Sequence, residues 1–260
     1  MIEQIQFTDT NKIALRFKKA LNSYEENAFV QRQMAHQLIE ELNRTNLPRI
    51  NRAFEIGCGT GLLTRELLNF IEIDDFITND LVPEFEPVIR SITDQHLNLK
   101  SYQHLAGDIQ KICFPNQIDL ICSGATLQWI NNIDWFFNIA AESMVRDGLL
   151  AFTTFGPDNF CELKQILNIG LDYLSLNELA IKSAKWFRIE SALEWKKTIS
   201  FDTPVDILRH IKATGVNGLS NQTWNKGRLD QFIHDYESLK PANRTYPLTY
   251  HPQLMILRKL

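Results

Sequence analysis

The stretch from Arg52 to Ile71 constrains this chain more than any other. The run RAFEI (52–56) has the content of a strand buried on both faces, and LLTRELLNFI (62–71) carries its apolar residues at helical spacing. Between them stands Gly57-Cys58-Gly59-Thr60-Gly61. A strand that turns through such a loop into a helix is the opening unit of a parallel sheet covered by helices. The glycines let a ligand approach the backbone closely, and the helix start offers unpaired N–H groups and the positive end of a dipole. The spacing is G-x-G-x-G. A dinucleotide fingerprint would want glycine at position 62, which is Leu62.

Further short apolar runs at 75–80, 101–108, 118–123 and 148–155 alternate with helix-period sequence. That alternation predicts an α/β fold, a mostly parallel Rossmann-like sheet with helices on both faces. Two of the runs end in acids, Asp80 and, within Ala106-Gly107-Asp108-Ile109, Asp108. Open parallel sheets bind ligands at the carboxyl ends of their strands. There Asp80 suits the two hydroxyls of a ribose, although it also reads as a cap for a helix starting near Pro83. Asp108 suits the exocyclic amine of adenine, with Ile109 packed on the ring. Together with the glycine spacing, this favours S-adenosylmethionine over NAD.

Composition removes several alternatives. The net charge of -4 implies no whole-protein attraction to nucleic acid. Cys58, Cys113, Cys122 and Cys161 form no C-x-x-C pair, so no metal site and no redox dithiol is expected. The start MIEQIQFTDTNK does not read as a secretory signal, and no apolar run approaches the roughly 20 residues needed to span a bilayer. A soluble cytoplasmic protein without membrane contacts is the expectation.

Residues 10–43 read as one helix with Phe17, Leu21, Tyr24, Ala28 and Gln31 along one face. After Phe155, Gly156-Pro157 breaks the pattern and mostly helical sequence follows to about Tyr236, with WKKTISF (195–201) as the best strand within it. PLTYHPQLMIL (247–257) reads as a closing strand. The expected division is a helical lid (1–46), a cofactor-binding core (47–155), a helical cap (156–245) with a possible core strand at 195–201, and a final core strand (246–260).

The glycine loop, Asp80 and A-G-D-I together resemble the class I S-adenosylmethionine-dependent methyltransferases. That resemblance puts Glu55, Gly57, Cys58, Gly59 and Gly61 around the methionine portion, Asp80 and Leu81 at the ribose, and Asp108 and Ile109 at adenine. The stretch from Ser123 to Trp129 would border the transferred methyl group, although Trp129 reads equally well as core. A narrower resemblance rests on Arg16-Phe17, Ala20, Tyr24, Ala28 and Gln31-Arg32-Gln33, on A-T-L-Q-W (125–129), L-L-A-F-T-T-F-G-P-D (149–158), L-R-H-I-K-A-T-G-V-N (208–217) and P-L-T-Y-H (247–251). These are similar to the malonyl-acyl-carrier-protein O-methyltransferases of biotin synthesis. Pro252-Gln253 departs from the family, interrupting a strand that is usually continuous.

The resemblance implies methylation of the free carboxylate of a malonyl thioester, with S-adenosylhomocysteine as by-product. Tyr24 is then the expected active-site contact, Gln31 and Arg32 reach the cofactor carboxylate, and Arg209 receives the malonyl carboxylate. Lys182, Lys185 and Arg188 on one helix, with Arg209 and Lys212 on another, would dock an acidic carrier protein. The alternatives are a methyltransferase for another small-molecule carboxylate and a non-catalytic nucleotide-binding module. A nucleic-acid methyltransferase is disfavoured, because no N-P-P-Y-like motif and no basic tail is present.

Overall fold

Where periodicity predicts one helix over 10–43, the chain forms two, α1 (Thr10–Asn27) and α2 (Phe29–Arg44), which meet at the buried Ala28. Neither proline nor glycine makes the break. The Asn27 side chain donates to the Ser23 carbonyl at 2.7 Å, a local bond that competes with the helix ladder, and Ala28 leaves helical geometry at φ -86°, ψ 39°. The computed structural model describes residues 10–45, 47, 49–167, 171–214, 225–239 and 245–260. The start MIEQIQFTD, the side chains of Arg16, Ala20 and Leu21, the junction at 46, and Gly215, Val216 and Asn217 of the fourth motif lie outside the described residues.

The core follows as β1 (Ile50–Ile56), α3 (Leu62–Phe70), β2 (Ile73–Asp80), α4 (Glu86–Thr93), β3 (Ser101–Ala106), β4 (Ile118–Gly124), α5 (Ile133–Ser143) and β5 (Met144–Phe155). Next come α6 (Cys161–Leu167), α7 (Leu176–Ser183), β6 (Phe187–Glu194), β7 (Lys197–Phe201), α8 (Pro204–Ala213), α9 (Lys226–Glu237), β8 (Tyr246–Tyr250) and β9 (Pro252–Lys259). Among the described residues seven strands form one sheet in the order β3-β2-β1-β4-β5-β9-β6. The first five are parallel, and β9 runs antiparallel between β5 and β6.

Successive strand residues serve opposite faces, as the pleat requires. Ala53, Leu120 and Leu149 pack against Leu38 and Leu42 of α2 and Leu63 and Leu67 of α3, while Phe54, Ile121 and Leu150 pack against Phe136, Phe137 and Ala140 of α5. Burying each of the solvent-free Phe54, Phe136, Phe137 and Phe152 contributes roughly 2–3 kcal/mol. A third cluster, including Ile207, Phe232 and Tyr250, joins α8, α9 and β8 to the start of α2.

Three expectations for the region after Phe155 need correction. WKKTISF does not enter the main sheet: β7 pairs antiparallel with β8 in a separate two-stranded sheet. The closing segment is two strands, because the chain changes sheet at His251-Pro252. Third, Lys182, Lys185 and Arg188 do not share a helix. FRIESALE has helix-forming Glu, Ala and Leu, yet it pairs with β9 as an edge strand, an instance of tertiary pairing overriding local propensity. Lys182 bonds Asp134 at 2.7 Å, Lys185 lies over the Trp186 ring at 4.7 Å, and Arg188 bonds Glu190 at 2.9 Å. Arg188 pairs with Arg258, which pairs with Leu149, six residues before the strand end at Phe155. At about 3.3 Å per residue that is roughly 20 Å from the ligand edge of the sheet.

Candidate active site

Between β1 and β4 the strand order reverses, and the loops that follow these two strands part to leave a crevice. Gly57 and Gly59 both have positive φ, 70° and 50°. A side chain at Gly57 would stand 2.1 Å from the Thr126 hydroxyl of the facing loop, whereas one at Gly59 would project into open space. Gly57 thus permits contact between the two loops and Gly59 exposes backbone to the crevice.

The crevice opens as a cavity of about 860 Å³ lined by the glycine loop, Asp80, Leu81, Asp108, Ile109, Ala125, Thr126 and Trp129, with Phe17 and Tyr24 of α1 above. A smaller chamber of about 370 Å³ adjoins it at Tyr24, Gly57 and Gly59 and is lined also by Gln31, Glu55 and Cys58. The described lining residues of both chambers include acids and no lysine, arginine or histidine.

Backbone donors hold the central acid. Asp80 accepts from the Gly59 N–H and the Val82 N–H, each at 2.8 Å, and burial outweighs these bonds and pushes its carboxyl up to about 6. Glu55 is nearly solvent-free, and burial pushes it up to about 8, against the Thr64 hydroxyl that donates to Oε2 at 2.7 Å. Its other oxygen, Oε1, has no hydrogen-bond partner among the described residues, and the same holds for Gln31 Oε1 and Thr60 Oγ1. Burial, and secondly the Asp80 charge, raises the Tyr24 hydroxyl well above its ordinary value, so it is a donor across the physiological range. Asp108 anchors its own turn by accepting from the Gln110 N–H at 3.0 Å.

Side chains rather than backbone close the top. Phe17 meets Trp129 edge-on, with centroids 5.8 Å apart and planes at 84°. Arg65 bridges to Glu25 at 3.0 Å, and Lys18 pairs with Glu84, so α1 is tied to both sides of the cavity. These exposed pairs contribute at most about 1 kcal/mol each, which suits a lid.

Of the residues expected here, the structure brings Tyr24, Gly57, Gly59, Asp80, Leu81, Asp108 and Ile109 to the main cavity and Gln31, Glu55 and Cys58 to the smaller one. Gly61 instead caps α3 in a left-handed conformation. Three residues stand elsewhere. The Ser123 hydroxyl is buried and donates to the Ile56 carbonyl at 2.9 Å, joining β4 to β1. Arg32 is exposed and donates to the Glu25 carbonyl at 2.6 Å. Arg209 is 73% exposed and paired to Asp206 at 2.7 Å. Sequence reasoning missed Asn79, whose amide donates to the Leu105 and Gly107 carbonyls at 2.7 and 2.9 Å and so ties the ends of β2 and β3 together. Its only signal was its place before Asp80. It also missed Ile13, Phe85 and Gln110, which line the cavity from three separate elements.

Residues 54–152 match a methyltransferase-domain family. The chain is similar in fold to the N-methyltransferase NodS of Bradyrhizobium japonicum, solved with S-adenosyl-L-homocysteine (TM-score 0.53, 12% identity, 92% of this chain and 98% of that one). It is similar also to the YcgJ protein of Bacillus subtilis (TM-score 0.59, 15% identity, 86% and 97% covered). Over nearly its whole length it is 35% identical to the malonyl-[acyl-carrier protein] O-methyltransferase of Prosthecochloris aestuarii, with 95% of this chain and 92% of the relative covered. The enzyme of the same name from Acinetobacter baylyi is 35% identical over 97% of this chain and 99% of its own. The chain belongs to the malonyl-[acyl-carrier protein] O-methyltransferase family. Membership in that family implies S-adenosylmethionine-dependent chemistry, and the chemistry of a buried carboxylate oxygen without a partner among the described residues, Glu55 Oε1, fits a cationic group.

Proposed function

We propose that the chain transfers a methyl group from S-adenosylmethionine to the free carboxylate of a malonyl thioester on acyl carrier protein, giving the malonyl methyl ester that enters the pimeloyl stage of biotin synthesis. What carries this reading is the 35% identity to relatives of that name over 95% of the chain, because it includes the cap. The core alone is common to methyltransferases of many substrates; the cap and lid are where acceptors are distinguished.

When bound, the cofactor supplies an electrophilic methyl group on a positively charged sulfur. A carboxylate acceptor is ionised at neutral pH, so no side chain need act as base, and the protein's task is alignment and exclusion of water. Asp80 would accept from the ribose hydroxyls, Asp108 from the adenine amine with Ile109 against the ring, and Glu55 and Gln31 from the ammonium of the methionine portion. Tyr24 would donate to the acceptor carboxylate from α1, and Phe17 and Trp129 would exclude water above it. Arg209, exposed and paired, is not offered for the acceptor carboxylate; with Lys212 it stands on α8, which touches α1 where the Ser23 hydroxyl donates to the Ala213 carbonyl at 3.3 Å. These two cations are the remaining candidates for carrier docking, in a cytoplasmic reaction.

The reading is tested by offering malonyl, acetyl and malonyl-methyl-ester thioesters of carrier protein with labelled cofactor. Label on the malonyl thioester alone supports it; equal labelling of the acetyl thioester removes it.

A further inference from the structure

Along the ligand edge of the sheet the functional positions follow the strand order. Asp108 follows β3, Asp80 ends β2, Gly57 follows β1 and Ala125 follows β4. The next strand in that row is β5, and over its end lies a further cavity of about 390 Å³. It is separated from the main cavity by the single turn Leu127–Trp129, and Ile130 lines both. Thr154 and Phe155 of β5 line it from the sheet, and Leu174 and Leu179 line it from the cap.

Its lining has two characters. Leu127, Ile133, Leu174 and Leu179 are apolar, while Gln128 and Thr154 supply a polar edge from the sheet side and Asp172 and Tyr173 another from the cap. The Gln128 amide is fixed at both ends: Nε2 donates to the Ala125 carbonyl at 2.6 Å, and Oε1 accepts from the Thr154 hydroxyl at 3.1 Å. An amide has two N–H donors and two acceptor lone pairs, so one of each remains for a ligand. A fixed amide beside apolar walls is suited to an extended ligand that alternates amides with hydrocarbon.

We propose that this cavity holds the amide-bearing, pantetheine-type arm of the acyl thioester, with the Gln128 side chain pairing with one of the arm's amides. The inference rests on the proposed function. The cofactor fills the Asp80 and Asp108 side, so an acceptor that reaches the turn at Ala125–Trp129 leaves its thiol arm on the β5 side, where this cavity is. The cap is then needed because it supplies the outer wall of the arm's channel.

The experiment compares malonyl-pantetheine with the S-methyl thioester of malonic acid, which has no arm and no amide. In the wild-type protein kcat/KM should favour malonyl-pantetheine. Leu174→Trp fills the channel, and Gln128→Met removes the amide at similar volume. Each should cut the preference by about tenfold, in proportion to a lost buried hydrogen bond or blocked subsite, with cofactor affinity and melting temperature little changed. An unchanged preference in either folded variant overturns the inference. If Leu174→Trp does not fold, Gln128→Met decides alone. A wild-type protein that methylates neither thioester removes the proposed function and this inference with it, whereas a protein that methylates both without preference removes only the inference.

Discussion

The two sides of the active cavity are built from different materials. On the cofactor side, strand ends and backbone N–H groups hold the functional atoms: Asp80 is fixed by Gly59 and Val82, and Asn79 ties β2 to β3. On the acceptor side, side chains of α1 and the turn Leu127–Trp129 meet through an aromatic contact and exposed ion pairs. The first construction is rigid, the second adjustable. On the proposed function, a cofactor common to many enzymes would be met by a preformed half, and the acceptor by a half able to close over it.

The largest effect should come from the rigid half. Asp80→Ala leaves two backbone donors without their partner and removes the ribose acceptor, so cofactor binding should weaken by about 1–3 kcal/mol. Calorimetry that finds normal affinity would show that the ribose is held elsewhere.

Next comes Tyr24→Phe in the adjustable half. The ring stays and only the hydroxyl goes, so turnover should fall by about tenfold while the melting temperature holds. Equal kcat in the two proteins would make Tyr24 a packing residue and dissolve the functional contrast between the halves.

Buried acids also predict a pH dependence. Burial raises Glu55 from its ordinary 4.5 to about 8 and Asp80 from 3.8 to about 6, so the folded protein without cofactor binds more protons than the unfolded chain between these values. Their contribution to stability is therefore full below about pH 4 and declines as pH rises towards 8. Thermal melts of the cofactor-free protein should show this fall, and Glu55→Gln should flatten it. Binding of a cation beside Glu55 should release a proton near neutral pH, visible as a buffer-dependent heat; a heat independent of buffer would separate Glu55 from the ammonium.

The smallest effect is expected at the rim. Arg209→Glu with Lys212→Glu should raise KM for malonyl-carrier protein a few-fold, chiefly at low salt, with little change for malonyl-coenzyme A. An equal rise for both substrates would mean that α8 acts on the shared acyl arm.

The same division governs what was legible beforehand. Gly57, Gly59, Asp80 and Asp108 could be placed at the cavity beforehand because backbone chemistry demands particular residues at particular strand ends. FRIESALE was read as helix because an edge strand takes its stability from pairing with β9, which local composition does not register. Ser123 and Arg209 stand off the cavity lining for a related reason: position in a motif does not reveal that a hydroxyl is engaged by Ile56 or a guanidinium by Asp206. The face of α1 over the cavity, by contrast, announced itself in the spacing of Phe17 and Tyr24, while the break at Ala28 accompanies one asparagine bond.

The most direct test of the central claim is methyl transfer itself. The pure protein is incubated with labelled S-adenosylmethionine and, in separate reactions, malonyl-carrier protein and free malonate, and base-labile methyl ester is measured. The account predicts ester on the malonyl-carrier protein at a far higher rate than on malonate. Label confined to free malonate, or absent from both, would contradict it.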